Sequence, residues 1–309
     1  MSLSNGKGSV KKRVVITGIG IVSPIGSEKH EFIHSLKAGR SGVGPITLFD
    51  ASQFPTRIAA EVKDFDPGYM LQGTKILDST DDRRVLFANV ASLSAVDDAR
   101  LTKQAVSESR GGVIFGSGIH PIVPSVESTI EQGMIYGSRE EMRKKAGGLE
   151  ESKGAPLWNR VSLGALSVAQ HFMITGPCYT VVSACAASSE AIGQAVKLIH
   201  RSEADFIITG GYDSMINPFG VQGFCGLGTM SSHNDTPQQA MKPFDGKRDG
   251  FVLGEGAGVV ILEEYEHALA RGVQIYGELL GYGTSLDAYS VADPHPEGTG
   301  AIAAMEKAL

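Results

Sequence analysis

The run Thr180-Val-Val-Ser-Ala-Cys-Ala-Ala-Ser-Ser189 is a short apolar segment that stops at Cys185 and passes at once into a stretch rich in small residues. Val181 and Val182 suit a buried strand, while Ala191, Ile192, Ala195, Val196 and Ile199 recur at the spacing of a packed helix face. A strand turning directly into a helix would place Cys185 at the helix start. Unpaired backbone NH groups and the positive end of the helix dipole there favour thiolate over thiol. Cys185 is therefore a candidate nucleophile, and a buried structural cysteine is the plain alternative.

Around this elbow, strand and helix patterns alternate as they do in layered α/β folds. Residues 13–17 read as a strand, 29–37 as a helix, 82–99 as a second helix and 112–115 as a second strand that ends in the turn Gly116-Ser-Gly118. Beyond Cys185 come strands over 205–209 and 251–262, the latter running into a helix that Arg271-Gly272 stops. A further strand is expected over 275–284 and a helix from near Thr299. Residues 120–159 are largely polar and read as a surface insertion or cap near a pocket mouth, with the charged stretch 139–145 a solvated face.

Composition narrows the function classes. A chain of 309 residues can bury a large core, and its 39 glycines imply many tight turns and close backbone contacts. A net charge of -6 argues against a generic nucleic-acid surface. No apolar run approaches the ~20 residues of a membrane span, so no membrane insertion is expected. Residues 1–12 read as a disordered or tag-like tail without the apolar core of a signal peptide. Cys178, Cys185 and Cys225 have neither zinc-site nor disulfide spacing, so a cytoplasmic location and no metal are expected.

Two glycine-rich stretches invite nucleotide readings and fail them. Thr17-Gly-Ile-Gly-Ile-Val-Ser23 puts a serine where the dinucleotide fingerprint needs its third glycine, and Pro24 follows. Gly254-Glu-Gly-Ala-Gly258 lacks the Lys-Ser/Thr of a phosphate loop. Its glycines read as letting a strand pass close under a site, with Glu255 and Asp249 holding loop geometry by hydrogen bonds. No paired-carboxylate or Ser-His-Asp arrangement emerges.

The ordered set Val14-Val-Ile-Thr-Gly-Ile-Gly-Ile-Val-Ser-Pro-Ile-Gly26, Gly116-Ser-Gly-Ile119, Ser183-Ala-Cys-Ala186, Gly210-Gly211, Pro243-Phe-Asp245, Arg248-Asp-Gly-Phe251 and Gly254-Glu-Gly-Ala-Gly258 resembles the β-ketoacyl-acyl-carrier-protein synthases, most closely the type II elongating class. The resemblance runs from about Arg13 to the last residue. It implies a thiolase-like layered α/β/α/β/α fold of two similar halves, with residues 13–272 forming a complete first half. Residues 273–309 would begin a truncated second half, since the last helix has an apolar stripe of Ile302, Met305 and Leu309 but no cap. The expectation is a truncated chain or one completed by a separate polypeptide.

The same resemblance implies the chemistry. Cys185 would accept an acyl chain from the phosphopantetheine arm of acyl carrier protein, its backbone NH helping to hold the oxyanion. Decarboxylative condensation with malonyl-carrier protein would then lengthen the chain by two carbons in fatty acid biosynthesis, without a resident cofactor. Ala184 and Phe224 would line the acyl tunnel, and Ile119 would limit chain length at its far end; core packing is the alternative for Ile119 and Phe224.

Some features depart from the family pattern. Its two catalytic histidines, one before a Gly-Thr-Ser-Thr run and one after a glycine, have no counterpart among the eight histidines here, so the 309 residues alone are expected to be inactive. His295, in Asp293-Pro-His-Pro-Glu297, is a substitute in composition only, and His200, His233 and His267 lie in no such motif. Gly228 stands where close relatives often carry an arginine facing the carrier protein, and Lys75, Arg83 and Arg84 offer a replacement basic patch. A homodimer through residues 177–183 is also implied. A coenzyme-A-dependent thiolase and a non-catalytic partner subunit are the competing readings.

Overall fold

The computed structural model describes residues 12–74, 76, 82–118, 161–290 and 293–309. Ile119, Lys75 and the expected insertion at 120–159 lie outside the described residues, as does almost all of the expected tail.

Among the described residues a six-stranded mixed sheet, in the order β5-β4-β6-β7-β1-β8, organises the fold. Its strands are β1 (Val14–Val22), β4 (Gly111–Gly116), β5 (Cys178–Val181), β6 (Phe206–Ser214), β7 (Glu255–Glu264) and β8 (Gly277–Glu278). β4 runs parallel to β5 and β6, whereas the pairs β6/β7, β7/β1 and β1/β8 are antiparallel. A separate two-stranded ribbon pairs β2 (Gly44–Pro45) with β3 (Ile58–Ala59).

The period-2 alternation of strand side chains sorts them onto two faces. Val113, Phe115, Phe206, Ile208, Val259 and Ile261 pack on one face beneath helices α3 (Arg83–Asp98) and α5 (Leu163–Phe172). Ile114, Ile207 and Leu262 point the other way, onto helix α6 (Ala187–His200), whose buried stripe includes Ala191, Ala195 and Ile199. The described core is thus a helix, sheet, helix sandwich. Short helices α1 (Lys29–Lys37), α2 (Pro67–Met70), α4 (Lys103–Glu108), α7 (Pro218–Gly226), α8 (Tyr265–Arg271) and α9 (Thr299–Ala308) complete it.

The glycines of β1 serve packing. A Cβ on Gly18 would lie 2.2 Å from the Ala95 carbonyl oxygen, and one on Gly20 would lie 1.8 Å from that of Ala91, so α3 rests directly on the strand. Between Ile16 and Gly18 the register with β7 shifts. Thr17 at this irregularity donates its hydroxyl to buried Glu263 at 2.7 Å.

Several elements differ from their sequence reading. The stretch 275–284 supplies only two ladder residues, β8, and they pair with β1 at the edge of this same sheet rather than opening a second one. Gly281 and Gly283 instead lie against α9, where a Cβ on either would meet the carbonyl of Ala308 or Ala304. β7 begins at Glu255 and not at 251, because the ladder starts where Ser214 and Val22 offer partners to Glu255 and Ala257. Val181 ends β5, an edge strand among the described residues, and is half-buried, whereas Val182 lies beyond the strand and is exposed. Gly272, at φ 66, ends α8 as its spacing predicts.

Candidate active site

Cys185 lies one tight turn ahead of α6. Strand β5 ends at Val181, a 3-10 turn spans Ala184–Ala186, and α6 begins at Ala187 with Ala186 as its cap. The preceding residue, Ala184, has φ 48, a left-handed conformation that costs a residue with a side chain of order 1–3 kcal/mol. That bend presents Cys185 exposed at the N-terminal end of α6, with a free thiol.

Cys185 opens onto a cavity of about 660 Å³. Ala184, Gly116, Gly118, Gly211 and Asp213 share its wall with Cys185, and residues 254–258 run beneath. Small residues are required at the contact. A Cβ on Gly116 would fall 2.2 Å from the carbonyl carbon of Ala187 and 2.3 Å from the nitrogen of Ser188, so β4 can abut the start of α6 only as glycine. Tyr212, also on the wall, is pushed up to about 12 by burial and donates its hydroxyl to the Val161 carbonyl at 3.0 Å, so it stays a neutral phenol.

Two carboxylates hold the surrounding loops. Glu255, whose side chain is fully buried, accepts from the Val62 amide at 2.9 Å, from Ser214 Oγ at 2.7 Å and from the Arg83 guanidinium at 2.7 Å. Asp249 accepts from Ser231 Oγ at 2.8 Å and the Ser232 amide at 3.0 Å. Withdrawal from water works against its ionisation, yet these hydrogen bonds hold its carboxyl below the usual range. The expected loop-holding role of both residues matches this geometry.

The remaining sequence candidates scatter. Phe224, on α7, makes an edge contact with Phe251 at 5.5 Å within the apolar cluster of Ile46, Phe54, Val221 and Leu253, and it does not line the Cys185 cavity. Arg83 and Arg84 do not form a basic docking patch: Arg83 is engaged by Glu255, and Arg84 is buried and paired with Asp82 at 2.7 Å. Gly228 is exposed with φ 67 and follows the end of α7, a conformation that disfavours an arginine there. His295 packs on Tyr289, His233 contacts Lys242 at 3.0 Å, and His267 bridges Glu263 and Ser109. No histidine among the described residues lines the cavity. Nor do they contain a group of three or more His, Cys, Asp or Glu that could hold a metal ion.

A family profile described as Beta-ketoacyl synthase, N-terminal domain, matches residues 11–268. The chain belongs to the β-ketoacyl synthase family. It is 39% identical over 302 residues to 3-oxoacyl-[acyl-carrier-protein] synthase 2 of Coxiella burnetii, covering 97% of this chain and 69% of that protein. Among solved structures, a β-ketoacyl synthase from Burkholderia phymatum matches with a TM-score of 0.81 at 31% identity, over 96% of this chain and 70% of that one. A type II polyketide acyl-carrier protein in complex with its ketosynthase bound to a hexaketide also matches, with a TM-score of 0.75 at 29% identity, over 97% and 70%. The fold is therefore the thiolase-like α/β fold of the ketosynthases, and the described sheet and helices correspond to its N-terminal part.

Ala184 lines the cavity as expected, but neither its backbone strain nor the place of Asp213 was read from the sequence. Asp213 follows the Gly210-Gly211 pair at a strand end, a position where an acid facing a cavity could have been flagged; the φ of Ala184 left no trace in residue type. No helix among the described residues is long and apolar enough to cross a membrane.

Proposed function

We propose that this chain carries the acyl-accepting centre of a 3-oxoacyl-[acyl-carrier-protein] synthase of fatty acid elongation, with Cys185 as nucleophile. The observation that carries this is an exposed thiol on a strained turn at a helix N-terminus, opening onto a cavity of about 660 Å³.

Cys185 sulfur, as thiolate, attacks the thioester carbonyl of an acyl group on the phosphopantetheine arm of a carrier protein. The tetrahedral oxyanion collapses, the arm's thiolate leaves and takes a proton, and the acyl chain is held as a thioester on Cys185. The backbone NH of Cys185 serves as an oxyanion donor. In the second half-reaction, loss of carbon dioxide from malonyl-carrier protein leaves an enolate whose carbon attacks the acyl-Cys185 carbonyl and expels the sulfur. The product is a 3-oxoacyl chain two carbons longer. Both substrates arrive on the carrier, so no resident cofactor is required. A cysteine suits both steps because its thiolate attacks well and leaves well.

The 309 residues by themselves perform the first half-reaction and not the second. The decarboxylation needs neutral donors at the enolate oxygen, and neither the family's histidine motifs nor any histidine lining the cavity is found among the described residues. Residues 13–272 act as the first half of the fold, with β8 adding to the edge of the same sheet. A homodimer through residues 177–183 is supported by β5 being, among the described residues, a sheet edge paired on one side, with Tyr179 and Val182 exposed. Three free cysteines fit a reducing cytoplasm.

Incubating the purified 309-residue chain with acyl-carrier protein and reading intact mass tests this. An acyl adduct that vanishes in Cys185→Ser, without carbon dioxide release from malonyl-carrier protein, is the expected result. No adduct on the intact thiol would make the chain a non-catalytic partner, and carbon dioxide release by the chain alone would overturn the division of labour.

A further inference from the structure

Asp213 sits at the end of β6 with its side chain on the wall of the Cys185 cavity. Its Oδ2 accepts a hydrogen bond from the Gly118 amide at 3.0 Å, joining residues 95 positions apart. The fit is close: a Cβ on Gly118 would fall 2.3 Å from that same oxygen, so the carboxylate lies directly over the turn and a side chain at 118 would push it aside. The turn is tied at two further points. The Ser117 amide donates to the Val181 carbonyl at 3.2 Å, on the strand that leads to Cys185, and Gly116 abuts Ala187 and Ser188 at the start of α6.

Residues 116–118 therefore bridge the nucleophile's elbow on one side and Asp213 on the other. The first two ties use backbone and close packing alone. The third depends on one side chain, and it anchors the part of the turn farthest along the cavity wall from β4. Asp213 Oδ1 meanwhile accepts from the Ser214 amide at 2.9 Å, which aims the other oxygen at Gly118.

We infer that Asp213 is a positioning residue that holds the 116–118 turn as a fixed wall of the acyl cavity and so sets which chain lengths Cys185 accepts. The inference rests on the proposed acyl-transfer role of Cys185. Losing the carboxylate frees the turn to yield to longer chains. An asparagine keeps an acceptor oxygen for the Gly118 amide and an almost unchanged shape, so it preserves the wall. A glutamate is one methylene longer and displaces the turn.

The test is competition. The full 309-residue chain, as wild type, Asp213→Asn and Asp213→Ala, is given an equimolar mixture of saturated acyl-carrier proteins of four to sixteen carbons, and the adducts on Cys185 are quantified by intact mass. Alkylation of Cys185 by iodoacetamide, which needs no tunnel, is measured in parallel. The expected result is a wild-type profile with a sharp upper limit, the same profile in Asp213→Asn, and a limit shifted by two or more carbons in Asp213→Ala with alkylation unchanged within about twofold. Identical profiles in all three proteins overturn the inference while leaving the acyl-transfer reading intact. Absence of adducts in wild type overturns both. Should Asp213→Ala fail to fold, Gly118→Ala, which crowds the same contact, replaces it, and an unchanged profile there is equally fatal.

Discussion

The Arg83 guanidinium straddles the Glu255 carboxylate, with Nε at 2.9 and 3.0 Å from its two oxygens and Nη2 at 2.7 Å from Oε1. Arg83 opens α3 and Glu255 opens β7, so the pair ties the helix that covers one face of the sheet to the strand beneath the Cys185 cavity.

Removing Glu255 leaves the Arg83 charge without its partner and the Val62 amide and Ser214 hydroxyl without an acceptor. Arg83 is partly exposed and can be solvated, but the buried donors left without an acceptor cost ~1–3 kcal/mol. Glu255→Ala is expected to lose that much stability in a urea melt, with Glu255→Gln losing less because an amide oxygen still accepts. A loss under about 1 kcal/mol in both variants would show that the pair does not hold these elements together.

Gly116→Ala forces a methyl group into the backbone of Ala187 and Ser188. Overpacking of this order costs about 1–3 kcal/mol and shifts backbone. The expected outcome is a lower melting temperature together with slower alkylation of Cys185, since the moved backbone is the start of its helix. A variant with wild-type alkylation kinetics would sever the proposed link between β4 and the nucleophile.

Thiol reactivity separates the three cysteines. Cys185 is exposed at a helix N-terminus, whereas Cys178 is half-buried and burial pushes its thiol up. Cys185 is expected to react with iodoacetamide near pH 7.5 about tenfold or more faster than Cys178. Peptide mapping after partial labelling reads the order, and Cys178 labelling first would contradict the exposure assigned to Cys185.

Glu263 gives an acid limb to stability. Burial opposes its ionisation, but hydrogen bonds from His267, Arg271 and Thr17 outweigh it and hold its carboxyl below the ordinary value of 4.5. A depressed folded-state pKa means that the unfolded chain binds the proton more readily, so the contribution is complete above about pH 4.5 and is lost as the pH falls toward the folded value. Denaturant midpoints measured from pH 6 to pH 3 should fall, and Glu263→Gln should flatten that slope. Parallel slopes in the two proteins would assign the acid limb elsewhere.

What could be read from the chain alone was local. The spacing of apolar residues predicts helix 29–37 with its observed bounds, and the last helix begins at Thr299 as expected. Gly272 was legible as a helix stop because its left-handed φ is a property of one residue. The elbow at Cys185 was legible because a change of period, from two to about 3.6, is written over a few neighbouring positions.

Partnership across the chain was not legible. Arg83 and Arg84 look like a basic pair in sequence, and only the fold brings Glu255, 172 positions away, against the first of them. The stretch 275–284 has strand composition, yet a ladder forms only where a neighbouring edge is free, and β1 accepts two residues before the chain turns to pack on α9. Residue types set the periods and the turns and marked Cys185 as a candidate nucleophile. Which charges meet, where a strand starts and what walls the cavity were decided by tertiary structure, because those outcomes depend on groups that are distant along the chain and become neighbours only when the core closes.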